Sequence, residues 1–98
     1  MLRNPRYNIL FEPVKIGPVM AKNRFYQVPH CTGMGFALPE TLAAMRAMKA
    51  EGGWGTVSTE YCSIDPSADD LPSPYATIWD QGDVKNLAKM AEGVHRHG

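Results

Sequence analysis

Two short stretches of the sequence hold the residue types that can do chemistry. Residues 28–35 contain a histidine, a cysteine and two glycines, and residues 59–62 read Thr-Glu-Tyr-Cys. A thiolate is the nucleophilic form of cysteine, and a neighbouring imidazolium stabilises it. Adjacent residues of an extended segment point to opposite faces, so His30 need not contact Cys31. From the residues alone, Cys31 is either a reactive thiol or, more commonly, a small packed side chain.

The second stretch contains neighbouring acidic and aromatic side chains. Glu60 and Tyr61 are consecutive, so on a strand only one of them faces a given side of the sheet. The Tyr61 ring is able to cover a cation or a flavin, or to pack like any interior aromatic ring. Cys62, which follows, is expected to pack.

Two other kinds of site are disfavoured. Gly33 and Gly35 form a Gly-x-Gly pair without the third glycine of a dinucleotide fingerprint, so a plain strand-to-helix connection is the better interpretation. A zinc site would need the two cysteines and the last two histidines of the chain, whose spacing matches no paired zinc pattern. We therefore predict no metal site here.

Short extended segments precede the first of these stretches. The runs at residues 9–16 and 19–25 flank a Gly-Pro pair and predict a hairpin, with the first run at an edge of the sheet. Residues 25–28 are rich in strand formers. Pro29 ends that strand because proline cannot donate to a central ladder.

Two helices are predicted, each after a loop. The first follows a loop at residues 30–38, begins at Pro39 and ends at a pair of glycines. Residues 54–64 are β-rich, and residues 65–74 form a loop with three prolines and three aspartates. The second helix begins near Asp80, a suitable N-cap, and runs to the end of the chain.

Apolar residues at helical spacing predict the buried face of each helix. The stripe of the first helix consists of Leu42, Met45 and Met48, and that of the second of Val84, Leu87, Ala88, Ala91 and Val94. Trp54, just after the glycine pair, is predicted to lie in the core.

Strands that alternate with helices indicate an α/β fold with a parallel sheet. Two such strands do not make a stable parallel sheet, because it needs neighbours at each edge and helices on both faces. A (β/α)8 barrel has about 250 residues. We therefore expect residues 1–98 to be one N-terminal fragment of a TIM barrel, with the hairpin and the first two β/α units. The active site of such a barrel lies at the carboxyl ends of its strands, which would bring the two chemical stretches together.

The composition excludes several classes of function. Ten basic and ten acidic residues give a net charge of zero, so nothing indicates binding to nucleic acid or to an anionic membrane. No apolar run is long enough to span a bilayer, and the N-terminus lacks the apolar segment of a secretory signal. Two cysteines are too few for a disulfide framework. A cytoplasmic protein is expected.

Several motifs resemble one known enzyme family. Residues 10–17, followed by 22–25, resemble the N-terminal hairpin and first strand of the Old Yellow Enzyme-like flavoproteins. The segments similar to the trimethylamine, dimethylamine and histamine dehydrogenase branch of that family are residues 24–31, 49–54, 59–64 and 78–84. The resemblance extends over essentially the whole chain.

The resemblance implies an FMN-binding barrel and a role for several residues. It implies a thioether between Cys31 and the C6 position of the flavin, with Pro29 and His30 against the flavin ring and Glu60 also at the cofactor. Tyr61 matches a position that lines the substrate pocket in the trimethylamine type, where aromatic rings enclose an alkylammonium group. The dimethylamine type differs there, so this residue favours a trimethylamine or histamine enzyme.

The implied reaction is the oxidative removal of an amine substituent. Electrons would pass singly from the flavin to a [4Fe-4S] cluster and then to an acceptor protein, in a homo-oligomer. The cluster ligands and catalytic groups would lie outside residues 1–98, so the isolated chain is expected to be inactive. Two alternatives stay open: an Old Yellow Enzyme-type reductase of enones or dienoyl thioesters that uses NAD(P)H, and a truncated barrel fragment without catalytic activity.

Overall fold

The computed structural model describes residues 3–68 and 74–98. After a 3-10 helix at Pro5–Phe11, these described residues form six short strands and three helices. The strands are β1 (Val14–Ile16), β2 (Val19–Ala21), β3 (Tyr26–Gln27), β4 (Thr56–Val57), β5 (Cys62–Ser63) and β6 (Ala76–Thr77). The helices are α1 (Met34–Ala37), α2 (Pro39–Glu51) and α3 (Gln81–His95).

The six strands form three separate pairs, of which the first is antiparallel and the other two are parallel. β1 and β2 form the predicted antiparallel hairpin. β3 lies beside β4, with Tyr26 opposite Thr56, and β5 lies beside β6, with Cys62 opposite Ala76. The parallel pairs confirm the α/β class, and the described ranges 3–68 and 74–98 do not close into a barrel.

The N-terminal segment differs from the prediction. Residues 9–11 were expected to begin an extended run, but they belong to the 3-10 helix. Pro5 occupies the first turn of that helix, and the Asn4 side chain accepts a hydrogen bond from the Arg6 amide at 3.1 Å. Because proline and an asparagine cap are both favourable at a helix start, these local signals outweigh the strand propensity of Ile9.

Helix α2 begins at Pro39, as predicted, but buries a different stripe. Its buried residues are Leu42, Arg46 and Ala50. Met48 was expected in the core and is 59% exposed. Residues spaced four apart drift by about 40° around a helix, whereas residues spaced three apart drift by about 60° the other way. The buried face therefore follows the four-residue spacing, and the prediction for Met48 is wrong.

Helix α3 begins where the sequence predicts and packs against α2. The Asp80 side chain accepts a hydrogen bond from the Asp83 amide, and the Asp83 carboxylate accepts one from the Trp79 amide, both at 2.9 Å. The residues of α3 that face the interior are Leu87, Met90 and Val94, whereas Val84, Ala88 and Ala91 are exposed. The predicted stripe is thus wrong at those three positions, because the face centred on Met90 meets α2.

Two further predictions need correction. Trp54 is 37% exposed rather than in the core, and it packs edge-to-face on the Phe25 ring at 6.2 Å. The β-rich stretch 54–64 is not one strand, since β4 and β5 have different partners. The predicted loop at residues 30–38 contains α1, and β6, which follows the predicted loop at 65–74, was not predicted. Residues 69–73 of the predicted loop at 65–74 lie outside the described residues.

Within the two described ranges, every helix is too short or too polar to cross a membrane.

Candidate active site

The two chemical stretches meet at one edge of the structure. Because β3 and β4 are parallel, the segments that follow them leave from the same end of the pair. The Ser58 amide donates to both the backbone oxygen and the side-chain oxygen of Gln27, each at 3.2 Å. The expected juxtaposition of residues 28–35 with residues 59–62 is therefore confirmed.

Glu60 is the centre of this juxtaposition. Its carboxylate is only 2% exposed, and the loop that follows Cys31 wraps around it. Oε2 accepts hydrogen bonds from the Thr32 amide at 2.7 Å, the Thr32 hydroxyl at 3.2 Å and the Gly33 amide at 3.0 Å. Oε1 accepts one from the Gly35 amide at 2.8 Å. Three backbone N–H groups thus compensate the buried charge of the side chain.

The glycines of this loop allow the wrapping. Gly33 has a φ of +79°, a conformation that other residues rarely adopt. A Cβ at Gly35 would lie 2.6 Å from both Ala76 Cα and Glu60 Oε1. The Gly-x-Gly pair therefore permits a turn and a close approach to the carboxylate and β6, a role more specific than the plain connection that the sequence predicts.

Arg46 restrains the same loop from its other side and was not identified from the sequence. The guanidinium is fully buried, and Nη2 donates to the backbone oxygen of His30 at 2.5 Å. Nη1 lies 3.6 Å from the Met45 sulfur, and Nε has no hydrogen-bond partner among the described residues. An arginine among alanines in a helix is typical of a solvent-exposed residue, so no sequence signal reveals this contact.

Three of the residues predicted to face a cofactor lie at or just before these restraints, and Cys31 lies between them. Pro29, His30 and Cys31 are all exposed, and Cys31 is a free thiol. The loop thus presents a thiol and an imidazole at the edge of the structure, while its backbone is held from behind by Glu60 and Arg46.

An aromatic pair borders the loop. The rings of Tyr61 and Tyr75 pack edge-to-face with centroids 4.9 Å apart. The Tyr75 ring also lies against Gly33, since a Cβ there would be 3.3 Å from two of its carbons. The sequence identifies Tyr61 but not Tyr75, because only the chain's return through β6 brings Tyr75 to this edge.

Cys62 has different surroundings from Cys31. It is half-buried, and burial raises the pKa of its thiol, with smaller contributions in the same direction from the negative charges of Asp83 and Glu60. This is consistent with the expected packing role. Within residues 3–68 and 74–98, no group of three or more His, Cys, Asp or Glu side chains converges as a metal site.

Known proteins resemble this chain along its whole length. Dimethylamine dehydrogenase from Hyphomicrobium sp. (strain x) is 55% identical over all 98 residues, which span 13% of that enzyme. The structure of histamine dehydrogenase from Rhizobium sp. 4-9 superposes with a TM-score of 0.91 and 46% identity, over 98% of this chain and 15% of that one. The 6-hydroxypseudooxynicotine amine oxidase from Pseudomonas geniculata N1 superposes with a TM-score of 0.88 and 45% identity, over 99% of this chain and 14% of that one.

These comparisons confirm the resemblance that the sequence motifs indicate. The chain spans about one seventh of the length of each of these relatives. The sequence pattern of one flavoprotein family matches residues 9–98, which is nearly the entire chain. The chain therefore belongs to the NADH:flavin oxidoreductase / NADH oxidase family.

Proposed function

We propose that residues 1–98 are the N-terminal part of an FMN-dependent oxidoreductase that acts on amines. We call the complete polypeptide the whole protein. In it, residues 1–98 would supply the hairpin and the first two β/α units of a (β/α)8 barrel, which the parallel pairing of β3 with β4 supports. The observation that carries the proposal is the contact between the loop after Cys31 and Glu60, the residue before Tyr61, at the carboxyl end of this pair. The chain that holds this contact is similar to three amine-oxidising enzymes.

The side chains at this edge suit a flavin. Cys31 offers an exposed thiol, Pro29 and His30 directly precede it, and none of the three is packed into the interior. In the proposal, Pro29 and His30 lie against the flavin ring and Cys31 holds it through a thioether at C6, while Glu60 acts from behind the loop. When bound, FMN supplies the acceptor for the two electrons that the substrate loses.

The aromatic pair suits a cationic substrate. Tyr61 is 41% exposed, and its ring packs edge-to-face with the Tyr75 ring. A desolvated ammonium over an aromatic face gains about 2 kcal/mol. We propose that Tyr61 forms one wall of the pocket for an alkylammonium group, and the name of the histamine dehydrogenase relative supports an amine as the substrate.

The remaining parts of the proposal concern the whole protein. A [4Fe-4S] cluster, the catalytic groups and the contact with an electron-acceptor protein would be supplied by its other segments. It would be a cytoplasmic homo-oligomer. The isolated chain 1–98 would be inactive, because the described residues leave large apolar side chains such as Val19 and Ile64 exposed, and these need partners elsewhere.

The family description favours one second candidate. Because it names NADH as a substrate, a reductase that uses NAD(P)H to reduce enones is the alternative. The two candidates differ in the electron donor. An amine donates electrons in the first, and a reduced nicotinamide donates them in the second.

The test uses the whole protein, purified after aerobic expression. After acid precipitation and proteolysis, the peptide that contains Cys31 should carry the mass of FMN. In the presence of the intact whole protein, dimethylamine, trimethylamine or histamine should reduce an artificial electron acceptor. If acid releases all the FMN, the thioether at Cys31 is wrong. If NADH with an enone is turned over and none of the amines is, the reductase is correct.

A further inference from the structure

The backbone on both sides of Cys31 is held by buried charged side chains. The peptide before it is restrained through the His30 carbonyl, which accepts a hydrogen bond from Arg46 at 2.5 Å. The peptide after it is restrained through the Thr32 amide, which donates to Glu60 at 2.7 Å. Cys31 itself is exposed. An exposed thiol thus lies on a segment whose two flanking peptides are both anchored in the interior.

The two anchors come from separate elements. Arg46 lies in α2, and Glu60 lies between β4 and β5. Each directs its charge at main-chain groups of residues 30–35, and both are almost completely buried, with 0% and 2% of their surface exposed. Burying a charged side chain is costly unless hydrogen bonds compensate it. Apolar residues at both positions would avoid that cost. The two buried charges are therefore better explained by their hydrogen bonds to the loop backbone than by a gain in stability.

We propose that Glu60 and Arg46 are positioning residues that fix the Cys31 thiol for its reaction with the flavin. This proposal rests on the proposed function and names the residues that position the thiol for flavin attachment. Both side chains act through the backbone and touch neither FMN nor substrate, so the implied role of Glu60 at the cofactor is indirect. Sγ must approach one ring carbon closely, and a displacement of about 1 Å is able to slow such a step about 100-fold.

The covalent step can be balanced with dioxygen as the oxidant. Cys31 Sγ loses its proton and gains a bond to ring carbon C6, and the hydrogen of C6 leaves as a proton. The two electrons pass by way of the flavin to dioxygen from the aerobic medium. With the two protons they yield hydrogen peroxide. Neither Glu60 nor Arg46 takes part in any of these transfers.

The main test compares two variants of the whole protein, prepared without FMN and then mixed with it in air. In Glu60→Gln, the amide nitrogen replaces one acceptor oxygen and meets a backbone N–H. In Arg46→Met, the donor to His30 is lost. We expect each variant to form acid-resistant FMN at least tenfold more slowly, while the dissociation constant for free FMN changes less than threefold. Arg46→Lys, which keeps a donor, should restore most of the rate.

Two controls separate positioning from a general loss of structure. Glu51→Gln removes an exposed carboxylate at the end of α2 and should leave the rate of attachment unchanged. Thr32→Val keeps the shape of the side chain and removes the hydroxyl, which donates to Glu60 at 3.2 Å and accepts from the Met34 amide at 3.3 Å. We expect the rate of FMN attachment in Thr32→Val to lie between those of the wild type and Glu60→Gln. If Glu60→Gln does not fold, Thr32→Val tests the positioning role of Glu60 in its place.

Several outcomes would overturn the proposal. Attachment at the wild-type rate in Glu60→Gln, or in Thr32→Val if it has to replace that variant, contradicts it. A loss of FMN affinity equal to the loss of attachment rate also contradicts it, since that indicates a purely structural role. If wild-type protein forms no thioether, the linkage is wrong, and hydrogen exchange then tests the restraint alone. The amides of Thr32, Gly33 and Gly35 should exchange at least tenfold faster in Glu60→Gln, and equal exchange would refute the restraint.

Discussion

The two cysteines lie in neighbouring segments but in opposite environments. Cys31 is exposed on a loop after β3, between two anchored peptides. Cys62 begins β5, is half-buried, and has a thiol whose pKa is raised by burial and then by the charges of Asp83 and Glu60. One thiol is presented outward in a fixed position, whereas the other is kept protonated and partly covered.

The Glu60 carboxylate contributes to both environments. On the side of Cys31 it accepts hydrogen bonds from three backbone N–H groups and so holds the loop in place. On the side of Cys62 its negative charge disfavours the thiolate. A single buried charge therefore holds the loop that carries Cys31 and helps to raise the pKa of the Cys62 thiol. The two cysteines differ because of their surroundings, since the residue type is the same.

The largest expected effect separates the two cysteines by covalent flavin content. In the whole protein, Cys31→Ser should lose all acid-resistant FMN, because no other exposed thiol lies on this loop in the described residues. Cys62→Ser should retain it. The flavin absorbance of the acid-precipitated protein measures both. If the flavin is lost from Cys62→Ser and kept in Cys31→Ser, the assignment of the two cysteines is reversed.

A second effect concerns the close packing beneath the Cys31 loop. Gly35→Ala places a methyl group 2.6 Å from Ala76 Cα and from Glu60 Oε1, so the backbone has to move. Such overpacking costs about 1–3 kcal/mol. We expect a loss of this size in the free energy of unfolding of the whole protein, measured by urea denaturation.

Gly93→Ala is the matched control for that change. Its Cβ would lie 3.5 Å from Ala47 Cβ, an ordinary contact on the face of α3 towards α2. Alanine is favoured over glycine inside a helix by about 1 kcal/mol. Gly93→Ala should therefore be neutral or stabilising, and equal destabilisation by both substitutions would argue against a special close approach at Gly35.

Local signals in the sequence account for much of the fold. The Gly17-Pro18 turn, the strand stopped by Pro29 and the helix starts at Pro39 and Asp80 all depend on residues within a few positions of each other. The meeting of the two chemical stretches follows from a topological rule, since parallel strands end at a common edge.

The details of the site depend on distant partners and were therefore not predictable. Arg46 reads as a surface residue of a helix, and only the position of α2 behind the loop brings it to the His30 carbonyl. Tyr75 reaches Tyr61 because β6 pairs with β5, and nothing in the residues around Tyr75 indicates that pairing. Glu60 was identified from its place after a strand, whereas its three amide donors emerged only from the structure.

The smallest expected effect is the pH dependence of the Cys62 thiol. Because its pKa is raised, the native thiol carries less thiolate near pH 8 than the unfolded one, and iodoacetamide should modify it several-fold more slowly. Mass spectrometry of the Cys62 peptide, with and without urea, gives both rates across pH. The native rate should approach the unfolded one as the pH rises, and stability should fall over the same range, because the folded state then holds more protons than the unfolded state.

A change at Asp83 tests the electrostatic part of this difference. Asp83→Asn removes one of the two negative charges that raise the Cys62 pKa but leaves an oxygen to accept from the Trp79 amide. The native rate of modification should therefore rise, by less than complete unfolding raises it, because burial is the larger cause of the shift. An unchanged rate would mean that the Asp83 charge does not reach the Cys62 thiol, and burial together with the Glu60 charge would then account for its raised pKa.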